Sequence, residues 1–275
     1  MSNPQSKKNV KRGKTNPHPS QKKKSGSPAD LSAERFVKQL KTYRSAEELK
    51  KYHRYFQFDE KPSDKGDTFI GVRMGKVFDL AKEFIDMNPH EIEKLLESPV
   101  HEIRAGGCSI MGKQATHKTT SERRRRELYD LYLRRHDRIN NWDLVDLASY
   151  KVIGSYLFNF KKPRKILYKL ARSKDTWERR TSIVSTFSFI AKGEVDDTFR
   201  IAEILLKDDQ DLVHKATGWA LREAGKKDPQ RLSNFLDKHV SKMPRTLLRY
   251  AIERLSPKQK THYMSKEFKK GNPPK

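Results

Sequence analysis

The chain has 275 residues, with 60 Lys and Arg against 35 Asp and Glu, and a formal charge of +25 at pH 7. A surplus of this size exceeds what solubility requires and favours a polyanionic partner, above all nucleic acid, over a merely solvated charged surface. No apolar run approaches the roughly 20 residues of a membrane span, which argues against a membrane protein.

The first segment, residues 1–29, holds eight Lys or Arg and no acid. It has almost no large apolar side chain to offset chain entropy, so we predict a disordered basic tail. Its clusters "KKNVKRGK" and "KKK" are typical of a nuclear localisation signal or of an arm that contacts DNA phosphates. It lacks the apolar centre of a signal peptide. One domain is expected over residues 30–264, followed by a short basic tail at residues 265–275.

Helical periodicity runs through most of the predicted domain. In "VFDLAKEFIDM", for example, the apolar residues recur at spacings of three and four. Extended structure is expected only around "DTFIGVR", residues 67–73, and this piece is short. The predicted class is therefore all-α.

The segment "SPVHEIRAGGCSIMG" contains the single cysteine, Cys108. One cysteine allows no disulfide framework, so we expect a reducing intracellular compartment: cytoplasm or nucleoid in a bacterium, nucleus in a eukaryote. Small and apolar neighbours favour a packed core thiol over a nucleophile. His101 and Glu102 begin like a zinc-protease helix, but Ala105 stands where the second histidine must be, so a helix-borne zinc pair is not expected.

Residues 121–128, "SERRRREL", form the densest charge run of the predicted domain. Successive helical residues point about 100° apart, so Arg123 to Arg126 cannot all face one groove. We expect one or two of them, represented by Arg124 and Arg125, to reach DNA phosphates and the others to be solvated.

Five segments of the domain share one pattern. Each opens with a polar or Pro-containing turn and continues with small and aliphatic residues at helical spacing. Steps of about 35 residues, with two helices per unit, predict HEAT-like repeats stacked into an α-solenoid with a basic concave groove. When the segments are aligned, four of them carry a basic residue at the same position, which we call the register position. These bases are Arg104, Arg180, Lys215 and Arg249.

The remaining segment, "INNWDLVDLASYKVIG", carries Asp146 at that register. In HEAT-like repeats a base at this position commonly pairs with an acid of a neighbouring repeat, and the successive pairs form an ion-pair ladder. Arg104, Arg180 and Lys215 are therefore either members of such a ladder or ligand contacts. An acid at the same place has no such explanation. We expect its carboxylate to lie among cations, with its pKa held low.

Two tryptophans accompany this acid. Trp142 precedes Asp146 by one helical turn, and Trp219 lies two repeats further on. Core packing is the alternative for each, but on the concave side of a solenoid they could converge with Asp146 on a ligand. Aromatic faces attract cations, and a carboxylate stabilises positive charge developing on a sugar. A purine alkylated at N3 or N7 in DNA is such a cationic centre.

Several segments in order, including "GDTFIGVRMGKVFDLAKEF", "SPVHEIR", "WDLVDLASYKVIG" and "MPRTLLRYAIERL", resemble the DNA alkylation repair enzymes, the AlkD-type HEAT-like repeat glycosylases. The resemblance covers residues 64–256. It implies excision of N3- and N7-alkylated purines from duplex DNA with neither metal nor cofactor, without rotation of the lesion into a pocket. It also implies Asp146 as the catalytic carboxylate that stabilises the sugar and positions water, Trp142 and Trp219 as active-site tryptophans, and Arg180 as their support.

One departure is the pair Asp211 and Leu212, at a position where some members have paired aromatics against the DNA backbone. Arg222 is a candidate phosphate partner, with an ion pair to an acid as the alternative. We expect a monomer. The candidate DNA contacts are Lys215, Arg222, Arg104, Arg249, Arg124 and Arg125.

Two other functions stay open: a non-catalytic HEAT-repeat protein that recognises altered DNA structure, and a protein-interaction solenoid. The charge of +25 argues against the protein-interaction solenoid. The non-catalytic reading is opposed by the presence together of Trp142, Asp146, Arg180 and Trp219.

Overall fold

The computed structural model describes residues 31–56 and 67–265. The basic tail predicted at residues 1–29 and all but the first residue of the tail at 265–275 lie outside the described residues. The described part is helical, and the predicted all-α class is confirmed. No helix within it is long and apolar enough to cross a membrane.

The α-helices follow one another in short steps. They are α1 (Ala33–Lys41), α2 (Ala46–Phe56), α3 (Met74–Glu83), α4 (Pro89–Leu96), α5 (His101–Thr116), α6 (Glu122–Arg134), α7 (Trp142–Ser149), α8 (Ser155–Asn159), α9 (Lys165–Leu170), α10 (Thr176–Ser185), α11 (Phe187–Ile190), α12 (Asp196–Leu205), α13 (Asp211–Lys227), α14 (Pro229–His239), α15 (Arg245–Ala251) and α16 (Pro257–Ser265). A π-helical turn, Tyr150–Gly154, joins α7 to α8.

Polar caps set the starts of the helices that matter for the site. The Asn141 side chain accepts from the first N–H of α7, Ser121 accepts from Arg124 in α6, and Asp175 accepts from two N–H groups of α10. Each cap satisfies a backbone donor that has no partner inside its helix, which stabilises the helix by about 1 kcal/mol. Side chains on the first turns are thereby held in place.

Five helices, α5, α7, α10, α13 and α15, pack against one another in succession and form what we call the central row. They are the helices of the five repeated segments, so the predicted α-solenoid is confirmed. The second helices of the units pack against this row; for example, α4 packs on α5 and α12 on α13. Close approach needs glycine: a Cβ on Gly218 of α13 would lie 2.5 Å from the Leu247 carbonyl oxygen of α15.

Helix α5 is buried along almost its whole length. Its apolar and small side chains lie in the core together with Cys108, which is fully buried, so the prediction of a core thiol is confirmed. Burial raises the pKa of the Cys108 thiol to about 12, because a thiolate is poorly solvated there. A nucleophilic role for this cysteine is therefore disfavoured.

The extended piece at residues 67–73 makes one isolated bridge, between Thr68 and Val100. Its backbone is held by Glu102, whose carboxylate accepts from the N–H groups of Ile70, Gly71 and Val72 at 3.0, 2.8 and 3.2 Å. Gly71 has φ +75°, a conformation that glycine adopts without strain. A buried side chain thus replaces the partner strand that this segment would otherwise need.

Candidate active site

The carboxylate of Asp146 and the guanidinium of Arg180 form a two-point contact between α7 and α10. The Nε of Arg180 donates to Oδ1 of Asp146 at 3.0 Å, and its Nη2 donates to Oδ2 at 2.8 Å. The Nη1 of Arg180 donates to the Leu212 carbonyl of α13. Arg180 is only 5 % exposed. One side chain therefore links three successive helices of the central row.

This contact corrects our expectation that an acid at the register has no ladder role. Asp146 is the ladder acid for Arg180, the register base of the next repeat. Asp146 can serve both the ion-pair ladder and the candidate site. It binds the Arg180 guanidinium at two points, and 21 % of its side-chain surface is still exposed. A carboxylate has about four lone-pair positions, of which Arg180 occupies two.

The expected low pKa of Asp146 is wrong. Burial raises the pKa of this carboxyl above its ordinary value, the Arg180 guanidinium opposes the change, and the nearby charge of Asp143 adds to it. Desolvation outweighs pairing because the carboxylate has given up most of its water for one cation. A carboxylate that has lost much of its water interacts strongly with a positive charge that forms in front of it.

A cleft of about 640 Å³ opens beside Asp146. Trp219 of α13 also lines it, so the structure brings these two predicted residues to one place. The Trp219 ring contacts Phe187, with ring centroids 4.3 Å apart and planes inclined by 46°. Tyr150 and Phe158 complete the aromatic part of the lining. We call this feature the Asp146 cleft.

Trp142 does not line the Asp146 cleft. It is the first residue of α7, its N–H donates to the Asn141 side chain at 2.8 Å, and it is partly buried. Trp142 lies one helical turn before Asp146, about 6 Å along the helix axis. The cleft therefore contains one of the two predicted tryptophans, and their convergence on a ligand stays a prediction.

Tyr150 was missed by the sequence analysis, although it stands one helical turn after Asp146 and that spacing is visible in the sequence. It begins the π-helical turn that follows α7. Its carbonyl accepts from the hydroxyls of Ser188 and Ser155, at 2.5 and 3.3 Å. Widened turns of this kind are frequent at functional sites, and this one follows directly on the helix that carries Asp146.

His101 fastens the start of α7 to α5. It is fully buried, and its two ring nitrogens contact Asp67 at 3.1 Å and Asp143 at 2.7 Å. Burial alone would lower the pKa of His101, but the two carboxylates outweigh it and raise the pKa to about 9. The imidazolium therefore holds Asp143, the residue beside Trp142. Within the described part of the chain, no three His, Cys, Asp or Glu side chains are grouped as metal ligands.

The predicted DNA contacts separate into two groups. Arg104 is 1 % exposed and is paired with Asp67 at 2.5 Å, so its charge is used inside the fold and the expectation of a DNA contact is wrong. Arg222 contacts Glu223 and Glu253, which is the ion-pair alternative considered for it.

The other four reach the surface. Lys215 pairs with Asp211 at 2.9 Å, and Arg124 pairs with Glu127 at 3.2 Å. Arg249 is exposed on α15. Arg125 lines the Asp146 cleft itself.

Fold and site together define a HEAT-like α-solenoid with a partly buried carboxylate, Asp146, at an aromatic cleft. Residues 36–255 match the sequence model of the family described as DNA alkylation repair enzyme. The match spans most of the chain, so the protein belongs to this family, and the resemblance noted in its sequence is confirmed. A role in DNA alkylation repair follows from this membership.

A solved structure of similar fold supports the architecture. It is described as a predicted DNA alkylation repair enzyme from Enterococcus faecalis and superimposes with a TM-score of 0.62. The alignment covers 78 % of this chain and 97 % of that chain, at 16 % sequence identity. At this identity the likeness shows the fold alone. No curated protein matches the chain at a significant level.

Proposed function

We propose that the protein is a DNA glycosylase that hydrolyses the N-glycosidic bond of cationic N3- and N7-alkylated purines in duplex DNA. The observation that carries the proposal is the position of Asp146. Its carboxylate is oriented at two points by Arg180 and lines a cleft that also contains Trp219. A charge of +25 supplies affinity for the phosphate backbone.

Cleavage of this bond needs little help from a general acid. An alkylated purine carries a positive charge, so when its bond to C1′ breaks, the bonding electrons go to the base and it leaves neutral. The sugar becomes oxocarbenium-like and is stabilised by the Asp146 carboxylate. Water then adds to C1′ and gives its proton to Asp146, by analogy with the second carboxylate of glycosidases. Because burial raises the pKa of Asp146, it accepts that proton more readily than an ordinary carboxylate does.

The aromatic lining contributes to recognition of the cation. Trp219, Phe187 and Tyr150 line the same cleft as Asp146. A cation over such a ring gains about 0.5 to 2 kcal/mol, and an uncharged purine gains less. Trp142 keeps a place in the proposal as an aromatic contact with the DNA one helical turn from Asp146.

Lys215, Arg249, Arg124 and Arg125 remain proposed phosphate contacts, while Arg104 and Arg222 are removed from that set. The proposal needs neither metal nor cofactor, and it includes a monomer acting inside the cell on duplex DNA. The runner-up is a HEAT-repeat protein that binds altered DNA without catalysis, because the same fold and charge would serve it.

The direct test is release of free base from methylated duplex DNA. We expect 7-methylguanine and 3-methyladenine to appear in the soluble fraction, with unmodified guanine and adenine retained in the duplex. An electrophoretic mobility-shift assay on the same DNA measures binding, and so distinguishes a glycosylase from a protein that only binds the DNA. Binding without any released base would establish the non-catalytic protein instead.

A further inference from the structure

The four consecutive arginines of α6 are not equivalent. Arg123 pairs with Glu127 at 3.0 Å, Arg124 with the same acid at 3.2 Å, and Arg126 with Asp130 at 3.7 Å. None of the ion pairs formed by the described residues includes Arg125. Its positive charge is therefore the one in this run that no carboxylate of the described chain offsets.

Arg125 is held at the Asp146 cleft with a donor unsatisfied. Its Nη2 donates to the His117 carbonyl at 2.8 Å, and the side chain lines the cleft. Its Nε is buried and has no hydrogen-bond partner among the described residues. A guanidinium has five N–H donors and the bond to His117 uses one of them, so the Nη groups of Arg125 keep donors for an anion in the cleft.

A second cation stands in the lining of the same cleft. Lys192 follows α11, is exposed, and forms no ion pair within the described residues. Among the described residues that line the cleft, Asp146 is the one acid, and Arg180 already offsets its charge. The cleft therefore keeps two positive charges in excess, from Arg125 and Lys192.

We propose that Arg125 and Lys192 bind one phosphodiester phosphate that flanks the damaged nucleotide, and so place its sugar in front of Asp146. A guanidinium offers phosphate two parallel donors, and an ammonium adds a point charge. A cleft of about 640 Å³ has room for about one nucleotide, so a phosphate held in it adjoins the sugar being cleaved. This inference rests on the proposed function.

The test compares Arg125→Gln and Lys192→Gln with a matched control, Arg123→Gln. The control removes the same charge from the same helix, at a side chain that is 90 % exposed and paired with Glu127. The probe is a duplex with one 2′-fluoro-7-methylguanosine, whose electron-withdrawing fluorine slows bond cleavage. Each flanking phosphate is replaced in turn by an uncharged methylphosphonate, and dissociation constants are measured over a range of salt concentrations.

We expect each of the two variants to weaken binding about tenfold and to lower the salt slope by about one, and the control to change affinity less than twofold. At one linkage, methylphosphonate substitution should weaken wild type and Arg123→Gln but cause no further loss in Arg125→Gln. Arg125→Lys should fall between wild type and Arg125→Gln, because it keeps the charge and loses the paired donors.

Two results would overturn the phosphate site: equal losses in Arg125→Gln and Arg123→Gln, or additive losses at every linkage. Thermal unfolding of each variant identifies any loss caused by misfolding. The measurement needs no base release, so a protein that showed this coupling and liberated no base would retain the phosphate site and lose the proposed glycosylase activity.

Discussion

At the scale of single residues, Arg180 joins the structural and chemical parts of the site. Its guanidinium binds both oxygens of Asp146 and the carbonyl of Leu212, and it is 5 % exposed. A side chain in this position cannot be removed without leaving a partly buried carboxylate and a buried carbonyl without their donors. Stability and orientation of Asp146 therefore depend on the same three contacts.

We predict that Arg180→Gln lowers the free energy of unfolding by about 3 to 5 kcal/mol, because one partner of a buried ion pair is lost. Arg134→Gln is the control: Arg134 is 56 % exposed and pairs with Glu93 at 2.8 Å, so its loss should cost less than about 1 kcal/mol. Urea denaturation measures both. Similar values for the two variants would show that Arg180 contributes no more than a surface pair.

At the scale of helices, the spacing within the central row depends on glycine. Gly218 of α13 lies against α15, where an added Cβ would meet the Leu247 carbonyl oxygen and the Tyr250 Cβ, each at 2.5 Å. Helices that approach this closely cannot accept a methyl group without moving apart. Trp219, the next residue, would move with the helix.

We predict that Gly218→Ala destabilises the fold by about 2 kcal/mol in spite of the better helix propensity of alanine. Gly75→Ala in α3 is the matched control, since nothing lies within 4 Å of its added Cβ, and it should stabilise the fold by about 0.5 kcal/mol. Thermal or urea unfolding measures whether each variant is less or more stable than the wild type. A stabilising Gly218→Ala would contradict the close packing of α13 on α15.

The contact of α5 with α7 through His101 makes a prediction about pH. The pKa of His101 is raised to about 9 in the folded chain, above an unfolded value of about 6.5. Its contribution to stability is therefore complete below pH 6.5 and is lost as the pH rises through 9. Over that interval the wild type should lose about 3 kcal/mol relative to His101→Gln.

Urea denaturation of the two proteins between pH 6 and pH 9 measures this difference. His117→Gln, at an exposed histidine that follows the opposite end of α5, should follow the wild-type curve. Parallel curves for wild type and His101→Gln would show that the imidazole carries no charge between Asp67 and Asp143.

At the scale of the whole molecule, local patterns were enough to predict the fold. Helical periodicity and a step of about 35 residues depend only on neighbouring residues, so they indicated the all-α class and the solenoid. The same alignment singled out Asp146 as the exception among the register bases. The contacts between these register residues, in contrast, depend on how one repeat packs on the next.

Contacts between repeats could not be predicted in the same way. The sequence did not reveal that Asp146 pairs with Arg180, because the partner is 34 residues away and depends on how α7 lies on α10. Burial of Arg104 depends likewise on Asp67, which lies outside the repeats. That Tyr150 lines the cleft and Trp142 does not depends on where the cleft opens along the chain.

The most direct test of the account is the single-turnover rate of 7-methylguanine release from duplex DNA by wild type and by Asp146→Asn. The control is Asp209→Asn, which removes an acid whose side chain is 85 % exposed. We predict a fall of at least about a hundredfold for Asp146→Asn, with DNA affinity within a few fold of wild type and an unchanged rate for Asp209→Asn. Undiminished base release by folded Asp146→Asn would contradict the central claim.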